Sequence, residues 1–103
     1  MDSAFEVIFQ KDGDILTVRP NGRLDSVTAP VYADQLEKEL EGVSQIVMDL
    51  EQVDYIASAG LRVLLTSEQK MEERGGGVRL INVSGNIREV LELTGFLDFI
   101  TVE

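Results

Sequence analysis

The residue best placed to carry chemistry in this chain is Ser58, within Ala57-Ser58-Ala59-Gly60. Before it lies a short apolar run, Ile46 to Leu50, broken only by Asp49, and after it come Leu61, Leu64 and Leu65 at spacings of three and four. The run predicts a strand buried on both faces, as in the middle of a parallel sheet. The spacing predicts a helix, and serine at its start is a favoured N-cap. One hydroxyl would then stand among unpaired N–H groups at the positive end of a helix, a setting that suits an anion. Ala57, Ala59 and Gly60 leave that oxygen unshielded. A phosphoryl group on it would add about −1.5 to −2 charges, and an exposed helix end favours negative charge by about 0.3–1 kcal/mol. Such a group could remake a binding surface without unfolding the domain. The plainer alternative is that Ser58 does nothing but cap its helix.

Other chemistry is excluded or discounted. Strand, serine and helix resemble a nucleophile elbow, but the chain has no histidine, so a Ser-His-Asp triad cannot form within it. Position 56, where the elbow places glycine, is Ile56. A hydrolase would need its base from a partner. Ser67 and Lys70 have the Ser-x-x-Lys spacing of certain acyl enzymes, but in mid-helix they read as a helical face. Asp12, Asp14, Asp49 and Asp54 lack a metal-loop spacing. Gly75-Gly76-Gly77 is followed by no Lys-Ser/Thr pair and reads as a helix stop and connector. No cofactor or metal is expected, and the chain is not read as an enzyme.

The elements that must position Ser58 follow from the chain in order. Phe5, Val7 and Phe9 predict a strand, Asp12-Gly13 a tight turn, and Asp14 to Arg19 a second strand that Pro20 ends or places on an edge. Gly22 to Asp25, a short strand or turn, leads into a first helix, for which Asp25, Ser26 and Thr28 offer cap oxygens and Pro30 fits the first turn. Val31, Leu36 and Leu40 are expected to face the sheet, with Tyr32 near its edge and Gly42 as the stop. The central strand follows, then Glu51 to Ile56 as a connection, and the helix that opens at Ser58 and runs to about Arg74. Val78 to Val83 predicts another buried strand, Ser84 or Asn86 caps a short helix through Leu93, and the rest is extended or partly helical. Strands alternating with helices imply right-handed crossovers and a mixed sheet. Functional groups in such folds gather beyond the carboxyl ends of the parallel strands, where Ser58, Asp25 and the 82–84 turn can share a rim.

Composition narrows the partner. The 103 residues suffice for one domain, with an ordinary apolar fraction of 44%. With 19 acidic and 9 basic residues the formal charge is −10. That disfavours nucleic acid and anionic membrane surfaces and steers basic proteins towards the chain. Cysteine is absent, which rules out disulfides and thiolate sites. With no signal-like opening and no run long enough to span a membrane, the reading is a cytoplasmic protein.

Asp54-Tyr55-Ile56-Ala57-Ser58-Ala59-Gly60-Leu61, after the strand Ile46 to Leu50, resembles the signature of STAS domains and, more narrowly, that of bacterial anti-sigma factor antagonists. Gly22-Arg23-Leu24-Asp25, Leu80-Ile81-Asn82-Val83 and the stretch from Val90 to Phe96 agree, so the similarity spans nearly the whole chain in the family's order. The resemblance implies an α/β fold, a STAS-like mixed β-sheet with an N-terminal hairpin and helices packed on it, as a single domain over 1–103. It implies that Ser58 is phosphorylated by a partner kinase that is also the anti-sigma factor. The unphosphorylated form would bind that kinase and release the sigma factor, and a metal-dependent serine phosphatase would restore it. Gly60 would permit close approach, with its N–H helping to hold the phosphate, and Leu61 would anchor the helix start. Asp25, Ala57, Ala59, Arg62 and Thr66 complete the expected partner-facing rim. Two features depart from the family pattern: Ala57 stands where an acidic residue is frequent, and the sequence stops at Glu103, before the family's usual last helix. Ala57 favours the alternative of a STAS scaffold or transporter-associated subunit that no kinase modifies.

Overall fold

The computed structural model describes residues 5–103. Strand β1 (Glu6–Asp12) and strand β2 (Ile15–Leu24) form the N-terminal hairpin, paired antiparallel from Glu6 with Asn21 to Asp12 with Ile15. Gly13 takes the turn at φ 66°, a conformation that favours glycine. β2 does not stop at Pro20, one of the two alternatives the sequence leaves open, but runs on to Leu24. It can do so because it changes partner there. Ile15 to Val18 pair with strand β3 (Gln45–Asp49), and Gly22 to Leu24 pair with strand β4 (Val53–Ile56). Pro20 lies between the two pairings, away from the ladders on that side.

The main sheet has the order β1, β2, β3, β5, β6, where β5 is Gly77–Ile81 and β6 is Thr101–Val102. All its pairings after the hairpin are parallel. β3 is central as expected, flanked by β2 and β5 and buried from Ile46 to Asp49. Leu16 and Val18, Ile46 and Met48, and Val78 and Leu80 form one row per strand, each side chain 2% exposed or less. Helix α1 (Thr28–Glu37) and helix α2 (Ser58–Glu73) supply Tyr32, Leu36, Leu64 and Met71 to the same core.

α1 presents Ala29, Tyr32 and Leu36 to the core, whereas Val31 is 48% exposed. The spacing of three and four belongs to Ala29-Tyr32-Leu36, and the large ring buries more than Val31 would. The Tyr32 hydroxyl meets the Met48 sulfur at 3.2 Å. The helix ends at Glu37 rather than at Gly42, and Leu40 is buried beyond it. At the end of α2 the N–H of Gly75 (φ 85°) bonds to Glu72 O and that of Gly76 to Met71 O, a glycine-terminated helix stop. Helix α3 (Gly85–Leu93) is capped by Ser84, whose hydroxyl accepts from Ile87 N–H. A 3-10 turn (Phe96–Asp98) leads into β6.

Candidate functional site

The segment from 51 to 56 is more than a connection. Val53–Ile56 is strand β4, which lies parallel to the far end of β2 with Tyr55 opposite Arg23 and Ile56 opposite Leu24. The next residue continues the ladder: Ala57 N–H donates to Leu24 O at 2.8 Å. Ala57 is in extended conformation and is itself the N-cap residue of α2, its carbonyl accepting from Leu61 N–H at 3.0 Å. Ser58 is therefore the first helical residue and not the cap, a correction to the sequence reading. It is exposed, and its hydroxyl has no hydrogen-bond partner among the described residues. The N–H groups of the first turn have no acceptor within the helix.

The rim residues divide by depth. Ala57 and Ala59 are half-buried, and Arg62 and Thr66 are exposed along α2 with Ser58. Gly60 and Leu61 face inwards and are buried. Gly60's close approach is to this chain's own Leu24 and Ile56, so its lack of a side chain seats the helix on the sheet ends. Leu61 belongs to the buried core at the start of α2. Asp25 follows Leu24 just as Ser58 follows Ala57, so the two residues flank one backbone hydrogen bond. Asp25 Oδ1 accepts from Val27 N–H and Thr28 N–H, each at 3.0 Å. Those bonds, Thr28's foremost, hold its carboxyl below the ordinary carboxylate range. Asn86, in the first turn of α3, donates to Asp54 O at 3.3 Å and accepts from the Ser84 hydroxyl at 2.9 Å, so the start of α3 is tied to β4. Asn82, at φ 55°, donates to Asp49 Oδ1 at 3.0 Å.

The rim thus carries a free serine hydroxyl at a helix start, in a chain without histidine. The model of the STAS domain matches residues 6–103. The chain belongs to the STAS domain family. Among its relatives is BtrV of Bordetella bronchiseptica, described as a candidate anti-sigma factor antagonist, at 38% identity over 77% of this chain and 72% of that one. A Thermotoga maritima structure, also described as a candidate anti-sigma factor antagonist, superposes with a TM-score of 0.86 at 22% identity, over 92% of this chain and 83% of that one. The anti-sigma factor antagonist SpoIIAA has been solved unphosphorylated (TM-score 0.76, 20% identity, 97% of this chain and 87% of that one) and phosphorylated (TM-score 0.73, 20% identity, 97% and 91%). The solved structures share the fold, and the BtrV match places this STAS domain with the anti-sigma factor antagonists.

In this STAS domain several features escaped the sequence reading. Arg23 lies over the Tyr55 ring, 4.2 Å from its centroid, and is 3.6 Å from Asp25 Oδ2. The alignment of Arg23 with Tyr55 needs β4, which sequence pattern did not reveal. Glu68, buried on α2, accepts from Val78 N–H at 2.9 Å. Burial pushes its carboxyl up, the Val78 bond opposes this, and neighbouring Glu72 adds to the rise. A cleft of about 170 Å³ lies between α1 and α2, with Arg62 and Thr66 among its lining residues. Lys70, the other half of the Ser67/Lys70 spacing, is bound to Glu37 at 2.8 Å. No helix among the described residues is long and apolar enough to cross a membrane.

Proposed function

We propose that this STAS domain is a cytoplasmic switch protein, not an enzyme, that binds an anti-sigma factor through the rim around Ser58 and lets go when Ser58 is phosphorylated. The observation that carries the reading is the free, exposed hydroxyl of Ser58 on the first turn of a helix whose neighbours are fixed by the Leu24–Ala57 bond. Modification there adds charge where the helix end tolerates it, by about 0.3–1 kcal/mol. It needs no backbone movement. The anti-sigma factor is the serine kinase, and a serine phosphatase resets the switch, so neither nucleic acid nor membrane takes part. Asp25, Ala57, Ala59, Arg62 and Thr66 form the contact rim, with Gly60 and Leu61 supporting it from beneath.

Incubation with the anti-sigma factor kinase and ATP, followed by mass spectrometry, tests the site. Phosphate is expected on Ser58 in the wild-type chain and nowhere in Ser58→Ala. Phosphate that persists in that variant, at Ser26 or Thr66 for instance, contradicts the assignment. Ala57, in place of an acidic residue beside the serine, supports a second reading: an unmodified scaffold or transporter-associated subunit. Tight kinase binding with no phosphate on the wild-type chain would favour it.

A further inference from the structure

We infer that the cleft between α1 and α2 receives one apolar side chain of the partner protein, with an acidic residue beside it meeting Arg62; this rests on the partner-binding reading above. The cleft's apolar wall is made by Leu36, Leu40, Val63 and Ala33. Its volume, about 170 Å³, is far below the roughly 300–1,000 Å³ of drug-sized ligand sites and close to the roughly 150 Å³ that takes a benzene ring. A single side chain of leucine, methionine or phenylalanine size matches it.

Two polar groups at the cleft lack partners. Ser67 lines it and is only 5% exposed; its hydroxyl makes no hydrogen bond among the described residues and is open to water at the cleft. A backbone carbonyl or N–H entering with the side chain would take the place of that water. Arg62 is the second. Lys11, Arg19, Arg23, Lys38, Lys70, Arg74 and Arg79 each have an ion pair or a hydrogen bond to a carbonyl, whereas Arg62 and Arg88 have neither. In a chain of charge −10, an unpaired guanidinium at the edge of an apolar cleft calls for an acid from outside.

Position links the cleft to the switch. Ser58, Arg62 and Thr66 fall at i, i+4 and i+8 and are all exposed, so they form one stripe on α2. Arg62 lies about 6 Å and Thr66 about 12 Å along the axis from Ser58. A partner covering Ser58 reaches the cleft without turning.

The test titrates purified anti-sigma factor into the wild type, Ala33→Leu, Arg62→Glu and Ser58→Asp. Ala33 is exposed on α1 and leucine is a good helix former, so Ala33→Leu fills the cleft without burdening the fold. Arg62→Glu is a surface change that reports independently should Ala33→Leu fold badly. Each is expected to weaken binding about tenfold or more with an unchanged melting temperature. Wild-type affinity in both, with Ser58→Asp weakened, overturns the cleft and leaves the switch standing. No binding by the wild type overturns both. Self-association of the wild type that Ala33→Leu abolishes would give the cleft to a second copy and also overturn the inference.

Discussion

A Cβ atom on Gly60 would stand 2.9 Å from Leu24 Cβ and 3.0 Å from Leu24 O, with Ile56 Cγ1 at 2.8 Å. The first turn of α2 therefore rests directly on the ends of β2 and β4. Ser58 is placed by this contact together with the Leu24–Ala57 bond, and the same backbone stretch positions Asp25.

Gly60→Ala is expected to destabilise the domain by about 1–3 kcal/mol, since the methyl meets backbone and the helix must lift. Kinase binding should fall further than stability accounts for at temperatures where the variant is folded, because lifting α2 displaces Ser58 relative to Asp25. Denaturant titration and binding isotherms on the same samples check this. Wild-type stability would mean the contact relaxes freely.

Ser58→Ala should leave stability within about 0.5 kcal/mol of wild type, as expected for an exposed substitution that removes no capping bond. Had Ser58 been the N-cap, the loss would be about 0.5–2 kcal/mol. Ser58→Asp should also keep the fold, since acids are tolerated in a first helical turn. Urea melts of the pair distinguish the two arrangements.

Glu68 sets a pH dependence whose sign follows from its raised carboxyl. Between the ordinary glutamate value of 4.5 and the raised native value, the folded chain holds a proton that the unfolded chain has lost. Wild-type stability gains from this at the acid end, and the gain disappears as pH rises through the window. Glu68→Gln keeps an acceptor for Val78 N–H and does not titrate. The stability of the variant relative to wild type should therefore rise with pH from about 4 and then level off. A difference that is flat or falls with pH would contradict the account, and denaturant melts across that range measure it.

Much of this was legible because the signals were long and periodic. Ile46, Val47 and Met48 form an uninterrupted apolar run, and they are buried in the central strand. Gly75 and Ser84 occupy helix-stop and helix-start positions that their residue types favour. β4 was hidden because its burial runs in-out-out-in, from Val53 to Ile56, rather than alternating, and because it is short. Without β4 nothing could show that Ala57 continues a ladder into the helix, so the capping serine and the first helical serine could not be told apart. Tyr32 was misplaced for a different reason: Val31 is as apolar a candidate, and only the tertiary fit beside Met48 selects the ring. The cleft depends on how α1 and α2 pack, which no local pattern encodes.

Phosphate on Ser58 is expected to release the anti-sigma factor without altering the fold. The most direct measurement compares the affinity of that factor for the unphosphorylated chain and for the chain carrying phosphoserine at position 58, by calorimetric titration alongside thermal melts of each form. Binding should be at least about tenfold weaker for the phosphorylated form, since a group of about −1.5 to −2 charges would be desolvated against the partner, with the two forms melting within a few degrees of each other. Equal affinity of the two forms would contradict it.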